Sequence, residues 1–185
     1  VSEAGEAVDQ ALDVGAQGEV SIDVRRGSVT VVGWDEPKVA VVGTRDDRST
    51  GFVFERDGDV VRIEDQVPDD MHGGDGTRIT VRMPRGHEIR VNLVSANLDV
   101  EGVKGRARLR TVSGDIGARD LGDDSALYTV SGDIEVQNAG RELLLDSVSG
   151  DAEANVEVVE LDVQSVSGDV EIVNRGKLER GKLST

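Results

Sequence analysis

The chain has 185 residues, 37 of them acidic against 21 basic, for a formal charge of −16, with no cysteine and 2% aromatic residues. That balance argues against nucleic acid as a partner, since phosphate recognition needs a basic footprint, and it disfavours anionic membrane surfaces. Without cysteine there is neither a disulfide nor a thiolate metal site, and no run approaches the ~18 apolar residues of a spanning helix, so no direct membrane insertion is expected of this stretch.

Residues 1–16 carry Glu3, Glu6, Asp9 and Asp13 and no basic residue. Ala4, Ala7, Val8, Ala11 and Leu12 give a faint helical period, so an acidic linker or short helix is expected. From 17 to 87 the pattern changes to alternation, which marks strands with one buried face. Val20, Ile22 and Val24 form one run, Val29 and Val31 a second, and Val39 and Val41 a third. Turns are placed at Gly27-Ser28 and from Gly33 to Pro37. Two further strands, Phe52–Glu55 and Val60–Ile63, flank Asp57-Gly58-Asp59, a strong hairpin signal. Residues 65–77 form a polar loop with Asp65, Asp69, Asp70, His72 and Asp75, and Ile79, Val81 and Met83 form the next strand. Trp34 is read as an anchor in the core of this N-terminal β cap, and His87 as an exposed turn residue.

Residues 88–174 contain the feature that dominates the chain. Val112-Ser113-Gly114-Asp115-Ile116 returns at Val130, at Val148-Ser149-Gly150-Asp151-Ala152 and at Val166-Ser167-Gly168-Asp169-Val170, each Val 18 residues after the last. A weaker copy, Val94-Ser95-Ala96-Asn97-Leu98, precedes them. The flanks repeat as well: Leu109, Leu127, Leu145 and Val163 share one position, and Ile116, Ile134, Ala152 and Val170 another. A unit of two short strands cannot bury its face alone, so identical units must stack. The predicted fold is all-β: a single-stranded parallel β-helix, or solenoid, of five 18-residue repeats per 88–174, right-handed by the crossover preference, with an N-terminal β cap. Gly114, Gly132, Gly150 and Gly168 take the structural turns, where a positive φ or a close backbone approach is required. Val112, Val130, Val148 and Val166 are expected at successive heights inside the coil. Residues 175–185 end in Leu183-Ser184-Thr185, which resembles the approach to another copy and is read as the start of a further coil; with the start at Val1, it suggests a piece of a longer protein.

The run from Gly18 to Thr44, containing Val24-Arg25-Arg26-Gly27-Ser28-Val29 and Gly33-Trp34-Asp35-Glu36-Pro37, together with Val81-Arg82-Met83-Pro84-Arg85-Gly86 and the Val-Ser-Gly-Asp copies, resembles a bacterial β-strand-repeat family of unknown function labelled "putative adhesin". The resemblance covers residues 18–174. It implies a parallel β-helix exposed in the bacterial envelope, with some relatives linked to envelope stress. It transfers no catalytic or binding residue.

Chemistry is sparse. Two histidines and no cysteine leave no nucleophilic triad. Asp115, Asp133, Asp151 and Asp169 are the one repeated array of functional groups. Stacked about 5 Å apart, neighbouring carboxylates would repel by roughly 0.8 kcal/mol in water. The plain expectation is that each accepts backbone N–H bonds at its own corner. The alternative is Ca²⁺ held between coils, for which one Asp and one Ser per coil is a thin ligand set. The reading is therefore of a non-catalytic scaffold without cofactor, outside the cytoplasm, acting through a protein partner or self-association. Alternatives are a carbohydrate-binding or carbohydrate-cleaving β-helix and a Ca²⁺-responsive sensor.

Overall fold

A computed structural model of the chain describes residues 7–15, 17–45, 49, 51–66 and 76–185. Among these there is no helix. The N-terminal part comprises β1 (Ala7–Asp13), β2 (Glu19–Trp34), β3 (Lys38–Thr44), β4 (Gly51–Asp57), β5 (Val60–Gln66) and β6 (Thr77–Pro84). Then follow β7 (Glu88–Glu101), β8 (Ala107–Thr111), β9 (Ile116–Arg119), β10 (Asp124–Thr129), β11 (Ile134–Gln137) and β12 (Glu142–Ser149). The chain ends with β13 (Ala152–Val156), β14 (Glu160–Ser167), β15 (Val170–Asn174) and β16 (Arg180–Ser184).

From β7 onward every pairing is parallel, and two ladders run side by side. One is β7-β8-β10-β12-β14-β16; the other is β7-β9-β11-β13-β15. Up to β14 and β15 each residue pairs with the one 18 positions on: Leu109 with Leu127, Leu127 with Leu145, Leu145 with Val163, and Ile116 with Ile134, Ile134 with Ala152. Alternation sends these side chains inward, and Leu109, Leu127 and Leu145 are fully buried. Burying each removes roughly 1.5–3 kcal/mol worth of apolar surface from water. The sheet has open edges at both ends.

The N-terminal part joins the same stack. β2 pairs in parallel with β7 along most of its length, Val20 opposite Ile89 and Val29 opposite Leu98. On its other side β2 pairs with β5 and then β6. Strands β3 and β4 close this end by antiparallel pairing with β6 and β5. Two-residue closure at Gly58-Asp59, with Gly58 at φ 62°, makes β4 and β5 the expected hairpin.

Several expectations are corrected here. Residues 7–13 are a strand, not a linker or helix: β1 pairs antiparallel with β3, and its Val8 is buried. The open edge of β3 offers backbone partners that outweigh a weak helical period. Gly27-Ser28 is no chain reversal but a bend within β2, with Gly27 at φ 118° opposite Ala96. Trp34 is not in the buried core; its Nε1–H donates to the Lys38 carbonyl at 2.8 Å and clasps the turn between β2 and β3. Asp65 leaves the loop for the end of β5, is buried, and accepts from Ser49 Oγ at 2.5 Å and from Thr77 Oγ1. His87 is 1% exposed rather than a surface residue. Its Nε2 lies 2.8 Å from the Gly15 carbonyl. Asp69, Asp70, His72 and Asp75, raised as a polar cluster, lie outside the described residues.

Candidate functional site

The repeated pentapeptide forms the corner between the two ladders. Gly114 and Gly132 are held there by close approach. A Cβ on Gly114 would strike the Ala96 carbonyl oxygen, and one on Gly132 the Gly114 carbonyl oxygen. Gly150 and Gly168 stand the same way against the glycine of the preceding repeat, and of these turn glycines only Gly168 has a positive φ, 151°. The corner is tight because each repeat pairs in parallel register with the previous one.

The aspartates bond differently from expectation. Three of the four carboxylates accept not at their own corner but from the next repeat: Asp133 N–H donates to Asp115 Oδ1 at 2.9 Å, Asp151 N–H to Asp133 Oδ1 at 2.9 Å and Asp169 N–H to Asp151 Oδ1 at 2.8 Å. Asn97 Oδ1 does the same for Asp115 N–H at 3.0 Å. The reason is geometric: an outward corner turns its N–H along the stack, where only the neighbouring lap offers an acceptor. All four aspartates are exposed. Among the described residues no three His, Asp or Glu side chains come close enough to hold a metal, and each Asp oxygen named above already serves a backbone donor.

The valines that open the pentapeptides keep the regular spacing but not the expected direction. Val112, Val130 and Val148 are 40%, 40% and 41% exposed, and Val166 is 75% exposed. They face outward because Thr111, Thr129, Ser147 and Ser165, one residue earlier, take the inward position and are buried. Thr111 Oγ1–H donates to the Ala96 carbonyl at 3.1 Å, and Ser147 Oγ–H to the Gly150 carbonyl at 3.1 Å. With Val94 the valines form an apolar ridge about 19 Å long at one-lap spacing. Beside it runs a row of exposed serines, with Ser95 Oγ and Ser113 Oγ 3.3 Å apart.

A second corner went unread in the sequence. Gly102, Asp120 and Asn138, at 18-residue steps, have φ of 74°, 53° and 61°. Asn138 Nδ2–H donates to Asp120 Oδ1 at 3.2 Å. Gly, Asp and Asn are the residues that tolerate this conformation, so the signal was present. Just past it, Val103 and Leu121 turn inward and are buried.

Hollows lie on the outer faces among the described residues. One, about 340 Å³, opens over Gly117 between Asp99, Glu135, Arg119 and Gln137. Another, about 380 Å³, lies on the β10, β12 and β14 face over Ala126 and Leu144. At its rim Arg108 donates to Asp124 at 3.1 Å, and Arg106 pairs with the same carboxylate at 3.2 Å. The Arg108 hydrogen bond holds the Asp124 carboxyl below the usual carboxylate range. His87, the histidine within the described residues, is sealed away from both faces.

No curated protein matches the chain. Among solved structures, a "putative cell adhesion protein" from Clostridium sporogenes ATCC 15579 is similar, at 10% identity and a TM-score of 0.55, with 96% of this chain and 100% of that one covered. That likeness is one of fold. A "putative lipid binding protein" from Parabacteroides distasonis ATCC 8503 (14% identity, TM-score 0.39, 97% and 94% covered) and a "putative adhesin" from Parabacteroides merdae ATCC 43184 (6%, 0.30, 98% and 97%) match more loosely. The Toastrack DUF4097 family model matches residues 70–184, which take in β7 through β16 and so both corner ladders. With more than half its length matched, the chain belongs to the Toastrack DUF4097 family.

Proposed function

We propose that the chain winds as a parallel β-helix, 18 residues to the lap, and serves as a non-catalytic, adhesin-like scaffold outside the cytoplasm of a bacterium, in the envelope. It acts by contact with another protein or with itself, and an association with envelope stress is part of this reading. The observation that carries it is the valine ridge. A chain of net charge −16 keeps a row of five valines in the open, and exposed apolar surface of this regularity marks an interaction face. The adhesion-type name of one structural neighbour agrees with a surface role. No enzymatic role is proposed. The described histidine is buried, and the outward carboxylates follow the repeat instead of converging on one point.

The test is site-specific photo-crosslinking in living bacteria, with the reactive group placed at Val130 or, as control, at Glu135 on the other face. Protein adducts from position 130 and few from 135 are expected. Equal labelling, or none from either, would count against the ridge. Release of reducing sugar from a polysaccharide panel would overturn the non-catalytic reading, and recovery of the chain solely from the cytoplasmic fraction would overturn its location.

A further inference from the structure

The outward position that pairs Arg90 with Arg108, then Ala126, Leu144, Asp162 and finally Lys182, is charged in every one of these laps except two. Those two adjacent laps, Ala126 and Leu144, form the floor of the 380 Å³ hollow, and the chain's single tyrosine, Tyr128, stands at its wall. The volume is that of a small-molecule site. Asp162 borders the floor. Its Oδ1 is shut off from solvent and has no hydrogen-bond partner in the protein. An acceptor left in that condition is the costliest polar atom to leave unmatched. Lys182 pairs with Asp162 across the strands, and the Arg108–Asp124 pair fixes a further donor and acceptor at the opposite rim. Three basic groups, Arg108, Arg180 and Lys182, face four carboxylates around the hollow, so no strong field selects an ion.

We infer that this hollow binds a neutral saccharide of one or two rings, its C–H face over Ala126 and Leu144 and its hydroxyls on Asp162 and Lys182. A sugar hydroxyl donates and accepts at once, which suits a hollow lined by both carboxylates and basic groups. The apolar floor takes the ring face, as apolar floors with few placed polar groups do in small-ligand sites. None of the ridge valines lines the hollow, so substitutions at Ala126, Leu144 or Asp162 test it separately from the ridge.

The experiment is an amide-resolved NMR titration of the chain with maltose, cellobiose and chitobiose, each to about 20 mM, past a millimolar dissociation constant, with a neutral mixed-charge hexapeptide in parallel. Saturable shifts confined to β10, β12, β14 and β16 for at least one sugar are expected. Asp162→Ala weakens that binding about tenfold, the value of one hydrogen bond to a charged group, while its melting temperature stays at or above the wild-type value, because the orphan oxygen is gone. Leu144→Glu abolishes binding. The inference is overturned by no saturable shift with any sugar, by shifts scattered over other strands, by Asp162→Ala binding as well as wild type, or by the peptide alone occupying these residues.

Discussion

The aspartate ladder gives the sharpest prediction, because the chain supplies its own control. Asp133 accepts from the backbone of Asp151 and sits between Asp115 and Asp151, one lap away on either side. At about 5 Å in water each neighbour repels it by roughly 0.8 kcal/mol, about 1.7 kcal/mol in all. Its hydrogen bond to a backbone N–H returns about 1.5 kcal/mol as a charge-assisted bond. Asn97 performs the same bridging without a charge. Asp133→Asn therefore keeps the bond and removes the repulsion, and should stabilise by about 1 kcal/mol at low salt. Asp133→Ala loses both and should lie within about 0.5 kcal/mol of wild type. Urea unfolding at low and at high salt separates the two terms. The gain from Asn should shrink with salt, because exposed charges are screened, and the gap between Asn and Ala should persist. If Asp133→Asn destabilises by more than about 1 kcal/mol, or if salt leaves its effect unchanged, mutual repulsion of stacked carboxylates is not what the ladder works against.

Leu127→Asp places a carboxylate between Leu109 and Leu145 in the buried row and should cost well over 4 kcal/mol, read as loss of the cooperative unfolding transition. Gly132→Val collides with the Gly114 carbonyl oxygen and should cost several kcal/mol, about as much as strongly strained core substitutions; thermal melting would show it. Glu135→Lys, exposed on the outer face, should shift stability by less than about 0.5 kcal/mol. Arg108→Ala removes the chief donor to Asp124, so the Asp124 titration followed by NMR should move up toward the ordinary range. The carboxyl is held low in the folded state, so the pair's contribution is present above about pH 4 and lost as pH falls further; for a half-exposed pair it is under about 1 kcal/mol.

The 18-residue register was legible because the repeat is strict: Leu109, Leu127, Leu145 and Val163 had to share a face once alternation was recognised, and they pair in that order. The gaps within one repeat, though not the 18-residue step, were also present in the N-terminal part. Val20, Ile22, Val24, Val29 and Val31 have the gaps of Ile89, Val91, Leu93, Leu98 and Val100, and pair with them; Arg25-Arg26-Gly27-Ser28 in place of Val-Ser-Gly-Asp hid the match. The direction of Val112 and its equivalents followed from the parity of the alternation, and their apolar character misled.

Local pattern alone determined which residues alternate, where the chain bends and how far apart equivalent positions fall, since these are properties of short stretches of backbone. What a side chain meets on the neighbouring strand belongs to the tertiary structure. Stacking decided that Asp115, Asp133 and Asp151 each serve the next repeat's N–H, that His87 is enclosed against Gly15, that β1 is a strand at the edge of β3, and that Ala126 and Leu144 meet under a hollow. Those contacts join residues 18 to 72 positions apart. The 18-residue period sets Asp133 beside Asp151 and Ala126 beside Leu144 but not which atoms meet, and it is silent on the contacts of His87 and of β1.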